Sequence, residues 1–116
     1  MGNWNVVRFK ARLVARGFSQ IYGIDYMDTF APVAKLAALC ILLAIAAAED
    51  LEIHQMDVVT AFLIPEPEEE IYMEQPEGFD MKEGLVCKLQ KVLYGLKQSA
   101  RIWNTCLRRH LKSLSF

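Results

Sequence analysis

Residues 36–48 read LAALCILLAIAAA, thirteen apolar positions in a row between Lys35 and the pair Glu49-Asp50. Spanning a bilayer takes roughly 20 such residues, so this run is too short. Its mid-chain place rules it out as a signal peptide. A helix over 33–49 is predicted, apolar nearly all round, and such a helix needs cover on more than one side. That requirement constrains the fold more than any other feature of the sequence.

The rest of the composition is compatible with it. Hydrophobic residues make up 53% of the 116 positions, enough to demand a core. The length suits one small domain or part of a larger one, and no linker divides it. The net charge of −1 gives no global attraction to nucleic acid, so any basic surface is local. Cys40, Cys87 and Cys106 are odd in number and form no CxxC pair. Neither a disulfide framework nor a zinc site is indicated, and a reducing, intracellular compartment is expected.

Residues 5–16, NVVRFKARLVAR, place Arg8, Lys10, Arg12 and Arg16 on one parity and Val7, Phe9, Ala11 and Leu13 on the other. This predicts a strand with a cationic face, either a solvated sheet edge or a binding surface. Residues 17–32 read as a long loop pinned by Phe18, Tyr22, Tyr26 and Phe30. After the helix, 51–63 reads as a strand, and its stretch 54–63, HQMDVVTAFL, reads as buried with one carboxylate, Asp57, among Met56, Val58, Val59, Ala61, Phe62 and Leu63. An unpaired buried charge is expensive, so Asp57 either faces water or binds a cation. His54 and His110 have no Cys or His partner at metal spacing and read as structural or exposed.

The Pro- and Glu-rich turn IPEPEEE leads to a short strand around Ile71–Met73 and a second over Leu85–Leu89. YGLKQS at 94–99 is a turn in which Gly95 admits a conformation closed to other residues. A helix from Ser99, a plausible N-cap, to Leu114 carries the apolar stripe Trp103, Cys106, Leu107, Leu111 and Leu114, with Arg101, Arg108 and Lys112 opposite. That basic face reads as solvated, or as a nucleic-acid contact. The element order suggests an α/β or α+β layer architecture.

Four blocks, FKARLVARGFSQIYGIDYMDTFAPVAKL at 9–36, LEIHQMDVVTAFL at 51–63, EEEIYMEQPEGF at 68–79 and VCKLQKVLYGLKQSARIW at 86–103, together resemble the reverse transcriptase of Ty1/copia-type LTR retrotransposons. They occur in the family's order and spacing and cover nearly the whole chain. The resemblance implies an α+β fold: residues 1–116 as the fingers and first half of the palm, with a mixed antiparallel sheet packed with helices. It implies RNA-directed DNA polymerisation by two-Mg²⁺ phosphoryl transfer in the intact enzyme, with RNA/DNA template-primer and dNTP as partners. The remainder of the polymerase chain is then expected, with no membrane role, and a place in cytoplasmic particles or the nucleus.

By the same resemblance Asp57 is the first metal-binding aspartate, with the Val58 carbonyl as a second ligand. Lys10 and Arg12 match the basic finger strand that holds the triphosphate, Arg by bidentate contacts and Lys as a point charge. Phe62 matches an aromatic that would crowd a ribose 2′-hydroxyl, although a lone Phe there is also ordinary core. Tyr94 and Gly95 match the block under the incoming nucleotide and template. Lys97 would contact phosphate, and Gln98 would contact nucleic acid or lie on the surface.

The sequence also departs from the family. No Tyr-x-Asp-Asp block, the source of the other metal carboxylates, occurs among these residues, so the chain alone is expected not to polymerise. Ile64-Pro65-Glu66-Pro67 replaces a Gly turn, and two prolines restrict it. Cys40, Val59, Ala100 and Ser115 stand where Arg, Lys or Asn, Pro and Gly are usual. Drift in a copy no longer selected for polymerisation is one explanation. The alternative reading is therefore a non-catalytic remnant that binds nucleic acid or protein, or one without function that fails to fold.

Overall fold

Ile71, Val92, Leu96 and Ile102 are shielded from water around one junction, with Ala15, Phe62, Leu89 and Leu93 packed against them. These residues come from five segments of the chain, and their meeting point is the core. The computed structural model describes residues 7–79 and 82–116; the first two positions of the predicted strand 5–16 lie outside them. The elements are helix α1 (Leu36–Ala48), strands β1 (Tyr72–Glu74) and β2 (Val86–Lys88), and helix α2 (Ser99–Ser113). Single 3-10 turns lie at Gly17–Ser19 and Ala61–Leu63. The architecture is mixed α+β.

β1 and β2 pair antiparallel in the register Tyr72↔Lys88, Met73↔Cys87 and Glu74↔Val86. The ladder is extended by the Leu89 N–H donating to the Ile71 carbonyl at 2.9 Å. Gln75 closes the connecting loop, its Nε2 donating to the Lys82 and Leu85 carbonyls. Both strands fall within a residue of their predicted positions, because alternation and flanking turn residues mark them locally.

α2 also forms where its pattern predicts. Its start differs in detail: Gln98 is the N-cap and makes no side-chain cap, while the Ser99 hydroxyl donates to the Leu93 carbonyl at 2.6 Å. The hydroxyl ties the helix to the preceding turn instead of capping it. The buried centre of the helix is Ile102, beside the predicted stripe, and Leu111 and Leu114 are exposed. Arg101, predicted on the solvated face, is largely covered: its Nε donates to the Asp28 carbonyl at 3.0 Å and Nη2 to Glu68 at 2.6 Å.

Three expectations fail for one reason, a lack of partners. α1 forms and ends in a Schellman-type closure, with Asp50 at φ 52 and the Leu51 N–H donating to the Ala46 carbonyl at 2.8 Å. Yet it is uncovered: only Ala46 is partly shielded, and Leu42 is 65% exposed. The predicted strand 51–63 is irregular to Val58, then turns through Thr60 at φ 55 into the 3-10 turn. Of the described part of the predicted strand, 7–16, only Val14 pairs, in an isolated parallel bridge to Tyr94. A strand is stabilised by its ladder, and with no neighbour its backbone groups are left to water.

The consequence is an open body. The radius of gyration is 19.4 Å and the extents are 62 × 51 × 24 Å. A compact domain of this length would have a radius of gyration of about 13 Å. Among the described residues no helix is long and apolar enough to cross a membrane.

Candidate functional site

Among the described residues, the basic limb, 7–16, meets the rest of the chain at a crossing. The Ala15 N–H donates to the Tyr94 carbonyl at 2.7 Å, beside the Val14–Tyr94 bridge. Gly17 and Gly95 let the two backbones touch: a Cβ on Gly17 would overlap the Gly95 carbonyl oxygen, and one on Gly95 would overlap that of Ala15. Gly95 sits at φ +93, a conformation that side-chain-bearing residues rarely adopt.

This crossing opens a cleft of about 780 Å³. Arg8, Lys10 and Arg12 line it from the limb, and Asp57, Val58 and Tyr94 line it from two distant segments. The Arg12 guanidinium lies 5.9 Å from the centroid of the Tyr94 ring. Three cations thus share the cleft with one carboxylate, and its field favours an anion. Asp57 is exposed, and among the described residues it has no hydrogen bond or ion pair. Solvent access removes the cost that a buried charge would carry.

The remaining predicted residues lie around the cleft. Phe62 is half-buried and meets the Tyr94 ring edge-on, with centroids 5.0 Å apart and planes at 60°, so it backs Tyr94. Lys97 is exposed beside the Tyr26 ring, its Nζ 4.9 Å from the centroid and 3.1 Å from the Gln20 carbonyl oxygen. Gln98 is fully buried: it accepts from Gln20 Nε2 at 3.1 Å and donates to the Asp25 carbonyl at 2.9 Å. Neither lines the cleft. His54 is exposed beside Glu52.

Two features escaped the sequence reading. Arg8 joins the cleft, and its parity with Lys10 and Arg12 was the signal available. The acidic run proves to be a set of anchors: Glu66, Glu68 and Glu70 pair with Lys91, Arg101 and Lys88. The Lys88 hydrogen bond, followed by that of Tyr72, holds the Glu70 carboxyl below its ordinary value, and Glu70 in turn raises Lys88. The hydrogen bond to Glu68 likewise raises Arg101. A run of like charge in sequence gives no hint of cations that arrive from two other segments.

The donor set bears on magnesium. Mg²⁺ is commonly held by one or two carboxylates plus substrate phosphates. Asp57 offers one carboxylate, and Val58 beside it a backbone carbonyl of the same hard-oxygen type, in a cleft whose three cations suit phosphate. These two groups do not suffice for two ions, and among the described residues no cluster of three or more His, Cys, Asp or Glu is placed to hold a metal.

The family profile described as reverse transcriptase (RNA-dependent DNA polymerase) matches residues 2–116. The chain belongs to the reverse transcriptase family. Among curated relatives, the retrovirus-related Pol polyprotein from transposon TNT 1-94 of Nicotiana tabacum is 50% identical over 99% of this chain and 9% of its own length. The corresponding polyprotein from transposon RE1 of Arabidopsis thaliana is 46% identical over 94% of this chain and 8% of its own length. The transposon Ty1-ER2 Gag-Pol polyprotein of Saccharomyces cerevisiae is 35% identical over 88% of this chain and 6% of its own length. This reverse transcriptase segment is thus of the copia retrotransposon type, and it spans less than a tenth of the polyproteins it matches. A comparison with solved structures finds no match.

Proposed function

We propose that the cleft is the triphosphate-binding side of a nucleotide site, serving RNA-directed DNA synthesis in the polymerase to which this segment corresponds. The observation that carries this reading is the convergence of Arg8, Lys10 and Arg12 with Asp57 and Tyr94 on one cleft. In it, Lys10 and Arg12 bind phosphate oxygens, Arg12 by paired N–H donors. The Tyr94 ring carries the base or sugar, and Phe62 acts on the sugar side through the ring it backs. Gly95 brings main chain close to the nucleotide.

Asp57 and the Val58 carbonyl would hold Mg²⁺, which when bound neutralises phosphate charge and orients the phosphates. The Tyr-x-Asp-Asp carboxylates are not among these 116 residues, so a two-ion clamp draws on the rest of the polymerase. In that assembly the present residues form the fingers and the first half of the palm, and α1 lies inside.

Equilibrium dialysis of a deoxynucleoside triphosphate with the chain, with and without Mg²⁺, tests the reading. Binding that is strengthened by Mg²⁺ and weakened by Arg12→Ala is expected. Equal binding by wild type and Arg12→Ala would sink it.

A second reading rests on the exposed Arg108, Arg109 and Lys112 of α2. These would contact a template-primer backbone, or make the segment a nucleic-acid-binding module without catalysis. A steep fall in affinity for an RNA–DNA hybrid with rising salt is its signature.

A further inference from the structure

Between the loop 17–26 and the turn 94–98 runs a chain of side-chain amides. The Lys97 main-chain N–H donates to Gln20 Oε1 at 2.8 Å. Gln20 Nε2 donates to Gln98 Oε1 at 3.1 Å, and Gln98 Nε2 donates to the Asp25 carbonyl at 2.9 Å. One end of the chain is an N–H, which can only donate, and the other a carbonyl, which can only accept. Both amides are therefore fixed in one orientation. Gln98 has no exposure to water, where an unmet amide group is costly.

Lys97 Nζ joins the same two segments as well, 3.1 Å from the Gln20 carbonyl oxygen. Among the described residues, 7–13 make no hydrogen bond to the rest of the chain. The basic limb is attached by the Ala15–Tyr94 bond, the Gly17–Gly95 contact and the stacking of Arg12 on Tyr94. The amide relay locks the two segments immediately beyond that crossing, three residues from Gly17 on one side and three from Gly95 on the other.

We propose that Gln20 and Gln98 are positioning residues: their amide relay sets the basic limb against Tyr94 and so fixes the width of the cleft. The effect on nucleotide rests on the function proposed above; the placement of the limb does not. Glu at position 20 still accepts from the Lys97 N–H but opposes an oxygen to Gln98 Oε1. Glu at 98 still accepts from Gln20 but loses its donor to Asp25. Either change breaks the relay, and both together remove little more, since the links are shared.

The test is amide hydrogen exchange by NMR on the full chain, comparing Gln20→Glu, Gln20→Met and Gln98→Glu with wild type. The probe is the Ala15 N–H, and the Ile102 N–H, bonded to the Gln98 carbonyl at 3.0 Å, reports the core. Exchange at Ala15 is expected to rise about tenfold or more while Ile102 stays protected. Unchanged exchange at Ala15 overturns the proposal, and so does loss of Ile102 protection in parallel, which would mean general unfolding. The same variants are then titrated with deoxythymidine triphosphate and Mg²⁺, where about tenfold weaker binding than wild type is expected. Wild-type affinity in variants with a released Ala15 overturns the role in nucleotide binding. A wild type that does not bind the triphosphate overturns the function proposed for the cleft, and the exchange result still decides whether the relay places the limb.

Discussion

Gly17 and Gly95 meet backbone to backbone, seventy-eight residues apart in the chain, with no room for a Cβ on either. Every cation of the cleft hangs from this contact. It joins the limb carrying Arg8, Lys10 and Arg12 to the turn carrying Tyr94, and the glycines serve two separate purposes there. Gly17 provides space; Gly95 provides space and a left-handed conformation.

Gly95→Ala should therefore cost more than either effect alone. The left-handed conformation contributes about 1–2 kcal/mol, and the overlap with the Ala15 carbonyl about 1–3 kcal/mol more. Gly23→Ala is the control, since Gly23 has φ +86 but nothing within 4 Å of the added Cβ. Urea unfolding of the two variants separates the terms, and equal losses would show that the crossing relaxes freely.

The core is small enough for one residue to dominate it. Ile102→Ala should destabilise the chain by about 2–5 kcal/mol, as deletions from closed apolar cores do. Leu42→Ala, in the uncovered α1, should change stability by less than about 0.5 kcal/mol. A comparable loss at Leu42 in chemical denaturation would mean that α1 is buried in solution.

The Glu70–Lys88 pair sets a pH dependence with a definite sign. Glu70 is held below its unfolded value of 4.5, so its stabilisation is full above that value and is lost as pH falls through the lower folded one. Lys88 is raised above 10.5, so its share is full below that value and is lost as pH rises through the higher folded one. Both side chains are exposed to solvent, so the effect is modest. An NMR titration of the Glu70 carboxyl should show the depressed midpoint, returning toward 4.5 in Lys88→Met. No change on losing Lys88 would remove the pair as its cause.

Triphosphate binding should depend on the limb and not on the distal helix. Arg12→Ala should weaken it by about 1.5–3 kcal/mol, the usual loss for a charged hydrogen bond. Arg108→Ala should leave triphosphate affinity unchanged and lower the salt slope for an RNA–DNA hybrid by about 1. If Arg108→Ala weakened triphosphate binding as much as Arg12→Ala, the cleft would not be the triphosphate site.

Family membership was legible in the order of four motif blocks, as were α1, α2, β1 and β2, because helical and alternating patterns are local properties. The exposed state of Asp57 and the pairing of Glu66, Glu68 and Glu70 were not, since each depends on groups contributed from elsewhere in the chain. The two long predicted strands show the converse. VRFKARLVAR, the described part of the first, and LEIHQMDVVTAFL carry strand-like residues, yet without a ladder partner neither becomes a strand.

Local pattern sufficed for the helices, the hairpin, the cationic parity of Arg8, Lys10 and Arg12, and the carboxylate at Asp57 among apolar neighbours. Contacts between distant segments bring these cations and Asp57 to one cleft and bury Gln98 as a clamp, and their absence leaves α1 uncovered among the described residues. The physical reason is range. Backbone preference and periodicity act over a few residues, whereas pairing, burial and the approach of Gly17 to Gly95 require segments that the sequence keeps far apart.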